Sequence, residues 1–153
     1  MEASRRERAQ ELFMQGYGCA QAVLGAFADA VGLDFSTAMR LASSFGAGMG
    51  RMREVCGTCS AMFMAAGLLS GSDTPDPQKK AEQYALVQRL AAQFREKNGT
   101  IVCRELLAGL KTDTRPVPDA RTAEYYRVRP CVRFVGDAAD ILEEYLRSLG
   151  QEQ

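Results

Sequence analysis

Apolar residues recur at helical spacing along most of this 153-residue chain, and that period constrains the fold more than any other feature. The clearest stretch runs from Gln78 to Asn98, where an apolar stripe lies opposite a face of lysine, glutamate, glutamine and arginine. Strict alternation of apolar and polar residues, the pattern of a half-buried β-strand, does not persist for more than a few residues anywhere. The sequence therefore predicts an all-α fold, a helical bundle of about 6–8 helices that forms a single domain over residues 1–153.

Local signals mark where the helices begin and end. Ser4 opens an S-x-x-E capping box, which predicts the start of the first helix. A second helix begins near Cys19 and stops at Gly32. The glycines of Gly46–Gly50 break the pattern after a third helix, and Pro130 is well placed as the first residue of the last one. These boundaries fix the position of each cysteine relative to a helix.

Four of the five cysteines stand at predicted helix starts, namely Cys19, Cys56, Cys103 and Cys131. A helix start presents unpaired backbone N–H groups and roughly half a positive charge, and both stabilise a thiolate over a thiol. Because thiolates bind metals, these four cysteines are the predicted metal ligands of a cysteine cluster if their helix ends converge. The separations of 37, 47 and 28 residues match no local zinc-finger or ferredoxin spacing, so convergence depends on the fold.

The fifth cysteine forms a C-x-x-C motif with Cys56, in the order Cys56-Gly57-Thr58-Cys59. At a helix start this spacing lowers the pKa of the first thiol and places the second sulfur one turn along, as a dithiol redox motif requires. Cys56 and Cys59 are therefore candidate catalytic residues. A thioredoxin fold would add a preceding strand and a βαβ pattern, which are not predicted here, so Cys59 is equally well explained as a buried small residue.

The absence of histidine removes several classes of site, because mixed Cys/His zinc sites, His-ligated haem and Ser-His-Asp triads all need it. The chain has 19 basic and 19 acidic residues, so no global field attracts nucleic acid or an anionic membrane. It has neither an apolar run of roughly 18 residues nor a recognisable signal peptide. We therefore expect a cytoplasmic protein, in which cysteines serve metal or redox chemistry more often than structural disulfides.

Two further features lie beside the predicted site. Arginines flank the cysteines and would offset clustered thiolate charge, although arginine is also common on solvated helix faces. They are Arg51, Arg53, Arg104, Arg129 and Arg133. The Gly46–Gly50 segment lacks the Gly-Lys-Ser/Thr ending of a phosphate-binding loop. Its glycines have two remaining explanations. They let the backbone pass close to the sulfur site or to a neighbouring helix, or they simply form a tight turn.

Several motifs together resemble a family of small redox-active proteins named for the pattern C…GCAxxG…C…C. The motifs are Gly18-Cys19-Ala20-Gln21-Ala22-Val23, Phe45-Gly46-Ala47-Gly48-Met49-Gly50, Cys56-Gly57, and the single cysteines Cys103 and Cys131. The resemblance covers nearly the whole chain. One departure lies after Cys56, where the family tends to read CGAxxG and this chain has Thr58 and Ala61 in place of the alanine and the second glycine.

The resemblance implies a redox role for Cys19, Cys56, Cys103 and Cys131, and it leaves Cys59 as an extra cysteine. Sequence of this kind also occurs attached to a multihaem cytochrome with a non-haem iron centre, which implies iron as the metal. This chain has no C-x-x-C-H haem attachment motif, so sulfur alone would hold the metal.

Three hypotheses follow. The leading one is a redox protein in which the four cysteines bind an iron–sulfur cluster or another thiolate-bound metal for electron transfer. The second is a metal-free thiol–disulfide protein that uses Cys56 and Cys59. The third is a binding or scaffold module without catalysis, in which the sulfurs are packing residues. The predicted partners are a redox partner protein and, as a candidate, a second copy in a homodimer, with no nucleic acid and no membrane.

Overall fold

A computed structural model describes residues 3–151, and most of this range is helical. The helices are α1 (Arg5–Met14), α2 (Cys19–Val31), α3 (Phe35–Ala42), α4 (Gly57–Ser70), α5 (Pro77–Asn98), α6 (Cys103–Leu106), α7 (Ala123–Val128) and α8 (Cys131–Gln151). A turn of 3₁₀ helix, Ser43–Phe45, follows α3. Between residues 3 and 151 there is no β-strand, and extended backbone pairs only at an isolated antiparallel bridge between Val55 and Val102. The predicted all-α fold is confirmed.

Short polar side chains cap the helices where the sequence signals indicated. The Ser4 hydroxyl accepts a hydrogen bond from the Glu7 N–H, and the Glu7 carboxylate accepts one from the Ser4 N–H, which completes a capping box. Asp34 caps α3 in the same way through the N–H of Thr37. Such caps satisfy backbone donors that have no partner inside the helix.

The helix α2 is the central element, because α1, α3, α4 and α8 all pack against it. Small residues allow these neighbours to approach closely. At Gly25, for example, a Cβ atom would lie 2.7 Å from the methyl group of Met39 and 3.0 Å from Leu12. Large apolar side chains fill the spaces between the helices, and each contributes about 1.5–3 kcal/mol by its burial. The largest are Phe27, Phe94, Leu24, Met62 and Leu142.

The long helix α5 packs on α4 and α8, and its buried residues begin at Leu86. Leu90 and Phe94 are buried there, whereas Tyr84, on the same predicted apolar stripe, is 62% exposed. Ala81 and Ala85 are exposed as well. The first half of the stripe therefore lies on the surface. The helical period predicted the helix correctly, but other helices cover only part of its apolar face.

A segment without regular secondary structure connects α6 to α7, and we call residues 107–122 the strap. The helix α6 that precedes it is a single turn whose N-cap is Val102 rather than Thr100. The Thr100 hydroxyl instead donates to the carboxylate of Glu105 and accepts from the Val102 N–H. None of the helices within residues 3–151 is long and apolar enough to cross a membrane.

Candidate functional site

Four cysteines from four different helices line one cavity of about 380 Å³. Cys19, Cys103 and Cys131 are the first residues of α2, α6 and α8, and Cys56 is the N-cap of α4. The structure thus brings together the four cysteines that the sequence placed at helix starts. Cys59 is fully buried in the first turn of α4 and does not line the cavity. All five cysteines are free thiols.

The isolated bridge between Val55 and Val102 places Cys56 beside Cys103. The Cys56 N–H donates to the carbonyl of Ile101 at 2.7 Å. The Cys103 N–H donates to the carbonyl of Glu54 at 2.6 Å. These two bonds join the segments just before α4 and α6, so both helices start at the same wall of the cavity.

The segment from Gly46 to Arg53 forms another wall in an uncommon conformation, and we call it the left-handed loop. Four of its residues are not glycine and yet have positive φ, a region in which an L-residue is destabilised by roughly 1–2 kcal/mol. They are Ala47 (φ 54°), Met49 (φ 68°), Arg51 (φ 66°) and Arg53 (φ 61°). Strained backbone of this kind clusters at functional sites, where the surrounding structure holds it in place.

Two glycines let the backbone approach the cysteines. At Gly57 a Cβ atom would lie 2.5 Å from the Cys19 sulfur and 2.7 Å from the Phe45 carbonyl oxygen. At Gly48 it would lie 2.7 Å from the Cβ atom of Cys103. Real Cβ atoms do not pack this closely, so each position needs a residue without a side chain.

Asp119 of the strap lies among three buried arginines that line the cavity. Its carboxylate lies 3.0 Å from the Arg51 guanidinium, 3.6 Å from that of Arg53 and 3.3 Å from that of Arg129. A second strap residue, Asp113, pairs with Arg51 at 2.9 Å and accepts a hydrogen bond from the Arg53 Nε at its carbonyl. These contacts tie the strap to the cavity wall.

Tyr125 and Arg121 complete the apolar side of the cavity. The Tyr125 ring lies between the guanidinium groups of Arg121 and Arg129, whose carbons are 5.1 and 5.2 Å from the ring centroid. Burial raises the pKa of Tyr125 to about 12, and the nearby Cys131 sulfur acts in the same direction. The phenol therefore stays protonated at neutral pH.

Cys56 and Cys59 have opposite acidities. A hydrogen bond from the Cys59 thiol, the Thr58 hydroxyl at 3.1 Å and the N–H groups of Thr58 and Cys59 together lower the pKa of Cys56 to about 7, although burial opposes them. The same interaction with Cys56 raises the pKa of Cys59, and burial adds to it. Cys56 is therefore about half ionised at neutral pH while Cys59 is a thiol.

The other three cavity thiols are protonated at neutral pH. Burial raises the pKa of Cys19 to about 12 and that of Cys131 to about 11, and the negative charge of Cys56 contributes to both shifts. A hydrogen bond from the Ala47 N–H partly offsets the effect at Cys19. Burial also raises the pKa of Cys103, against a hydrogen bond from the Arg53 Nη1, 3.7 Å from the sulfur. Without a metal, the site thus contains mainly neutral thiols.

The thiols line one cavity without forming a preassembled site for a single ion. Around a tetrahedral zinc ion with Zn–S distances of about 2.3 Å, the sulfurs approach each other to about 4 Å. Across the part of the chain that the structure describes, no three Cys, Asp or Glu side chains are placed so that they could hold one metal ion. In this conformation the cavity therefore presents four sulfurs around a space larger than one ion fills.

Asp119, Arg121 and Tyr125 line the cavity, but the sequence did not single them out. They lie in or just after the strap, where no helical period or motif marks them. The only local signal is the length of the strap, because loops longer than about 12–15 residues are usually functional. Arg51, Arg53 and Arg129, in contrast, were identified by their position beside the cysteines.

A comparison with protein families identifies this arrangement. Residues 17–145 match the family model described as "Putative redox-active protein (C_GCAxxG_C_C)". The chain belongs to the C_GCAxxG_C_C family. The match includes all five cysteines, and it confirms the resemblance carried by the glycine and cysteine motifs. The family's description names redox activity, and the four cavity cysteines lie within the matched residues.

Further comparisons with curated proteins and with solved structures gave no match for this chain. The description of the C_GCAxxG_C_C family contains neither a cofactor nor a reaction. The chemistry of the site must therefore be argued from its residues.

Proposed function

We propose that this protein transfers electrons through an iron–sulfur cluster held by Cys19, Cys56, Cys103 and Cys131. The observation that carries the proposal is the meeting of four thiols, each from the start of a different helix, on one cavity. Four cysteine thiolates are the usual ligand set of [2Fe–2S] and [4Fe–4S] clusters. Helix N-termini add backbone donors and positive potential, which stabilise the thiolate form that a metal requires.

The size of the cavity supports a cluster over a single ion. In a cluster the four thiolates are shared among two or four irons, so their sulfurs lie further apart than around one zinc ion. The cavity of about 380 Å³ gives space for such a group. Gly57 and Gly48, which have no room for a Cβ atom, keep the backbone close to Cys19 and Cys103 around that space.

The charge of the cavity wall also supports an anionic centre. Four arginines line the cavity, and two carboxylates, Asp113 and Asp119, pair with them. Two positive charges are left over, and a buried charge is costly without a partner. In the described part of the chain, moreover, the buried Arg53 Nη2 atom has no hydrogen-bond partner. Cluster-bound thiolates would supply the missing negative charge.

The residues of the chain would have separate tasks. A bound cluster would supply reversible one-electron chemistry at a potential set by its surroundings. The four cysteines would hold it, and Arg53 and the Ala47 N–H would donate hydrogen bonds to the sulfurs of Cys103 and Cys19. The strap would limit the access of water to the site.

Anaerobic purification tests this proposal. We expect coloured protein with iron and sulfide bound in fixed ratio to the chain, and loss of colour and iron when any of the four cavity cysteines is replaced by alanine. Cys59→Ala is the matched variant, because it removes a buried sulfur that does not line the cavity, and it should keep both the colour and the iron. Protein that stays colourless and free of iron after reconstitution with iron and sulfide would overturn the proposal.

A metal-free thiol–disulfide protein is the second candidate function. The pKa of about 7 at Cys56, with Cys59 one turn along, is the observation that favours it. In that case the Cys59→Ala variant loses thiol–disulfide exchange activity, whereas an electron-transfer protein with a cluster keeps its visible spectrum. If replacing all four cavity cysteines by alanine changes neither the spectrum nor the redox behaviour, electron transfer and thiol–disulfide exchange are both excluded. A binding or scaffold module then remains.

A further inference from the structure

Cys59 is a reactive side chain that the proposed cluster does not use. It lies in the first turn of α4, three residues after Cys56, is fully buried and does not line the cavity. Its N–H donates to the Cys56 carbonyl at 2.9 Å, so the two residues belong to one turn of backbone. Cys56 therefore lines the cavity and has a second thiol within its own turn.

The positions of these two cysteines favour contact between their side chains. Cys56 is the N-cap and Cys59 the third residue of α4, and a hydrogen bond joins their two thiols. Ser4 and Glu7 occupy the same two positions of α1 in this molecule, and each side chain reaches the backbone of the other residue. Residues three apart on a helix lie about 5–6 Å apart at Cβ. The Cβ atoms of a disulfide lie about 3.5–4.5 Å apart, so a small closing movement of this turn brings the two sulfurs into bonding distance.

We propose that Cys59 is a resolving thiol, and that oxidation joins it to Cys56 and thereby withdraws one ligand from the four-cysteine site. This inference rests on the proposed function, because it assumes that Cys56 is a ligand. It adds a reversible modification site: with the disulfide formed, three thiols remain around the cavity. A reductant that opens the disulfide restores the fourth.

The oxidant we assign is a peroxide, which is small enough to reach Cys56, a residue only 6% exposed. The Cys56 thiolate attacks one oxygen of hydrogen peroxide, the O–O bond breaks, and the leaving hydroxide takes up a proton to give water. The Cys59 sulfur then attacks the sulfur of the resulting sulfenic acid, the S–O bond breaks, and a second water forms with the thiol proton. Two thiols are oxidised to one disulfide, and one peroxide is reduced to two waters.

The first test uses metal-free protein, so it does not depend on a cluster. After anaerobic reduction and a small excess of hydrogen peroxide, mass spectrometry should show the loss of two hydrogens and a disulfide that joins Cys56 to Cys59. Cys131→Ala is the control for the other cavity thiols and should form the same disulfide. Cys59→Ala should instead accumulate a sulfenic acid at Cys56, which a dimedone label detects. A disulfide from Cys56 to Cys19 or Cys103, or none at all, overturns the proposal.

The second test uses protein loaded with iron and sulfide. Hydrogen peroxide should bleach the wild type, and a dithiol reductant with fresh iron and sulfide should restore its colour. Cys59→Ala should regain its colour several-fold less completely, because an unresolved sulfenic acid oxidises further to forms that the reductant does not reverse. Equal recovery in both proteins overturns the switch and leaves the proposed function intact. Failure of the wild type to bind iron overturns the proposed function, and with it the withdrawal of a ligand, whatever disulfide the first test finds.

Discussion

Cys56 and Cys59 are identical residues three positions apart, and their surroundings give them opposite chemistry. Cys56 receives hydrogen bonds from a thiol, a hydroxyl and two backbone N–H groups, all of which favour its thiolate. Cys59 lies against that thiolate and away from water, and both conditions favour the neutral thiol. Acidity at this site is thus determined by hydrogen bonds and burial rather than by residue type.

The pH dependence of alkylation tests this assignment. In metal-free protein, the rate at which iodoacetamide modifies Cys56 should rise with pH and reach half its plateau near pH 7, because the pKa is lowered to about 7. Cys19 and Cys131 should react only at much higher pH, since their pKa values are raised to about 12 and about 11. Thr58→Val removes one donor and should move the midpoint of Cys56 upward. A midpoint near 9 in the wild type would contradict the assignment.

Two glycines of the same helix give a matched pair of variants. Gly57→Ala places a Cβ atom 2.5 Å from the Cys19 sulfur, so we expect it to destabilise the fold by about 1–3 kcal/mol through overpacking. Gly67→Ala has nothing within 4 Å of the added atom and should stabilise α4 by about 0.5–1 kcal/mol, because alanine has the higher helix propensity. Urea unfolding of both variants measures the difference. Equal stabilities would mean that position 57 has room for a side chain.

At the residue scale the sequence predicted the position of each cavity cysteine but not how its surroundings are built. Helix-start signals are local, and they placed Cys19, Cys56, Cys103 and Cys131 correctly at the starts of α2, α4, α6 and α8. The positive φ angles of Ala47 and the other non-glycine residues of the left-handed loop had no local signal, because intrinsic preference argues against them. Tertiary contacts impose that conformation.

At the scale of elements, the strap determines how the cavity is covered. Pro116 and Pro118 line the cavity from this segment, while most of the strap between them and α6 is exposed. The ion pairs of Asp113 and Asp119 attach it, and its apolar packing is concentrated at its start, at Leu107 and Leu110. Segments with few buried apolar contacts open at low free energy, so the strap is the element through which small molecules reach the cysteines.

Neutralising Asp119 should loosen the strap. Asp119→Asn removes the charge that lies among Arg51, Arg53 and Arg129, and because Asp119 is 35% exposed we expect a loss of about 1–2 kcal/mol, less than for a fully buried pair. Alkylation of the cavity thiols should also become faster.

Glu124→Gln is the control for this variant. Its pair with Arg127 is on the surface and is worth less than about 1 kcal/mol. Urea unfolding and thiol-modification rates compare the two variants. If Glu124→Gln exposes the thiols as much as Asp119→Asn does, the strap is not held by Asp119.

Prediction from sequence was more successful for long helices than for short elements. The period of α5 placed its start within one residue, because many residues contribute to the pattern, although the pattern did not tell which half is covered. The bridge between Val55 and Val102 has no period at all, since it consists of one pair. Yet that bridge is what sets Cys56 beside Cys103, so the candidate site could not be assembled from periodicity alone.

At the scale of the whole molecule, most of the apolar core lies away from the cavity. The buried side chains around α2 form a continuous apolar cluster, and the cavity opens at one end of the helices that start there. Stability and site chemistry are therefore largely separate. The helices form a scaffold that positions the cysteines, unlike small domains that fold only when a metal binds.

Removal of metal should consequently leave the helices intact. We expect metal-free and iron-loaded protein to have the same far-ultraviolet circular dichroism, because the core is formed without the metal. Loading should still raise the melting temperature, since a ligand at a hundred times its Kd stabilises the native state by about 2.7 kcal/mol. Thermal melts with and without iron and sulfide test this. Loss of helical signal in the metal-free protein would show that the metal is part of the fold.

The left-handed loop places two conflicting demands on single residues. At Arg51 and Arg53 the backbone angles favour glycine, whereas the ion pairs with Asp119 require a guanidinium group. Replacement by glycine removes the backbone strain but leaves the Asp119 carboxylate without that arginine partner. Replacement by most other residues keeps the strain and also loses the ion pair. These two positions should therefore be among the least mutable in the protein, although neither carries a sulfur.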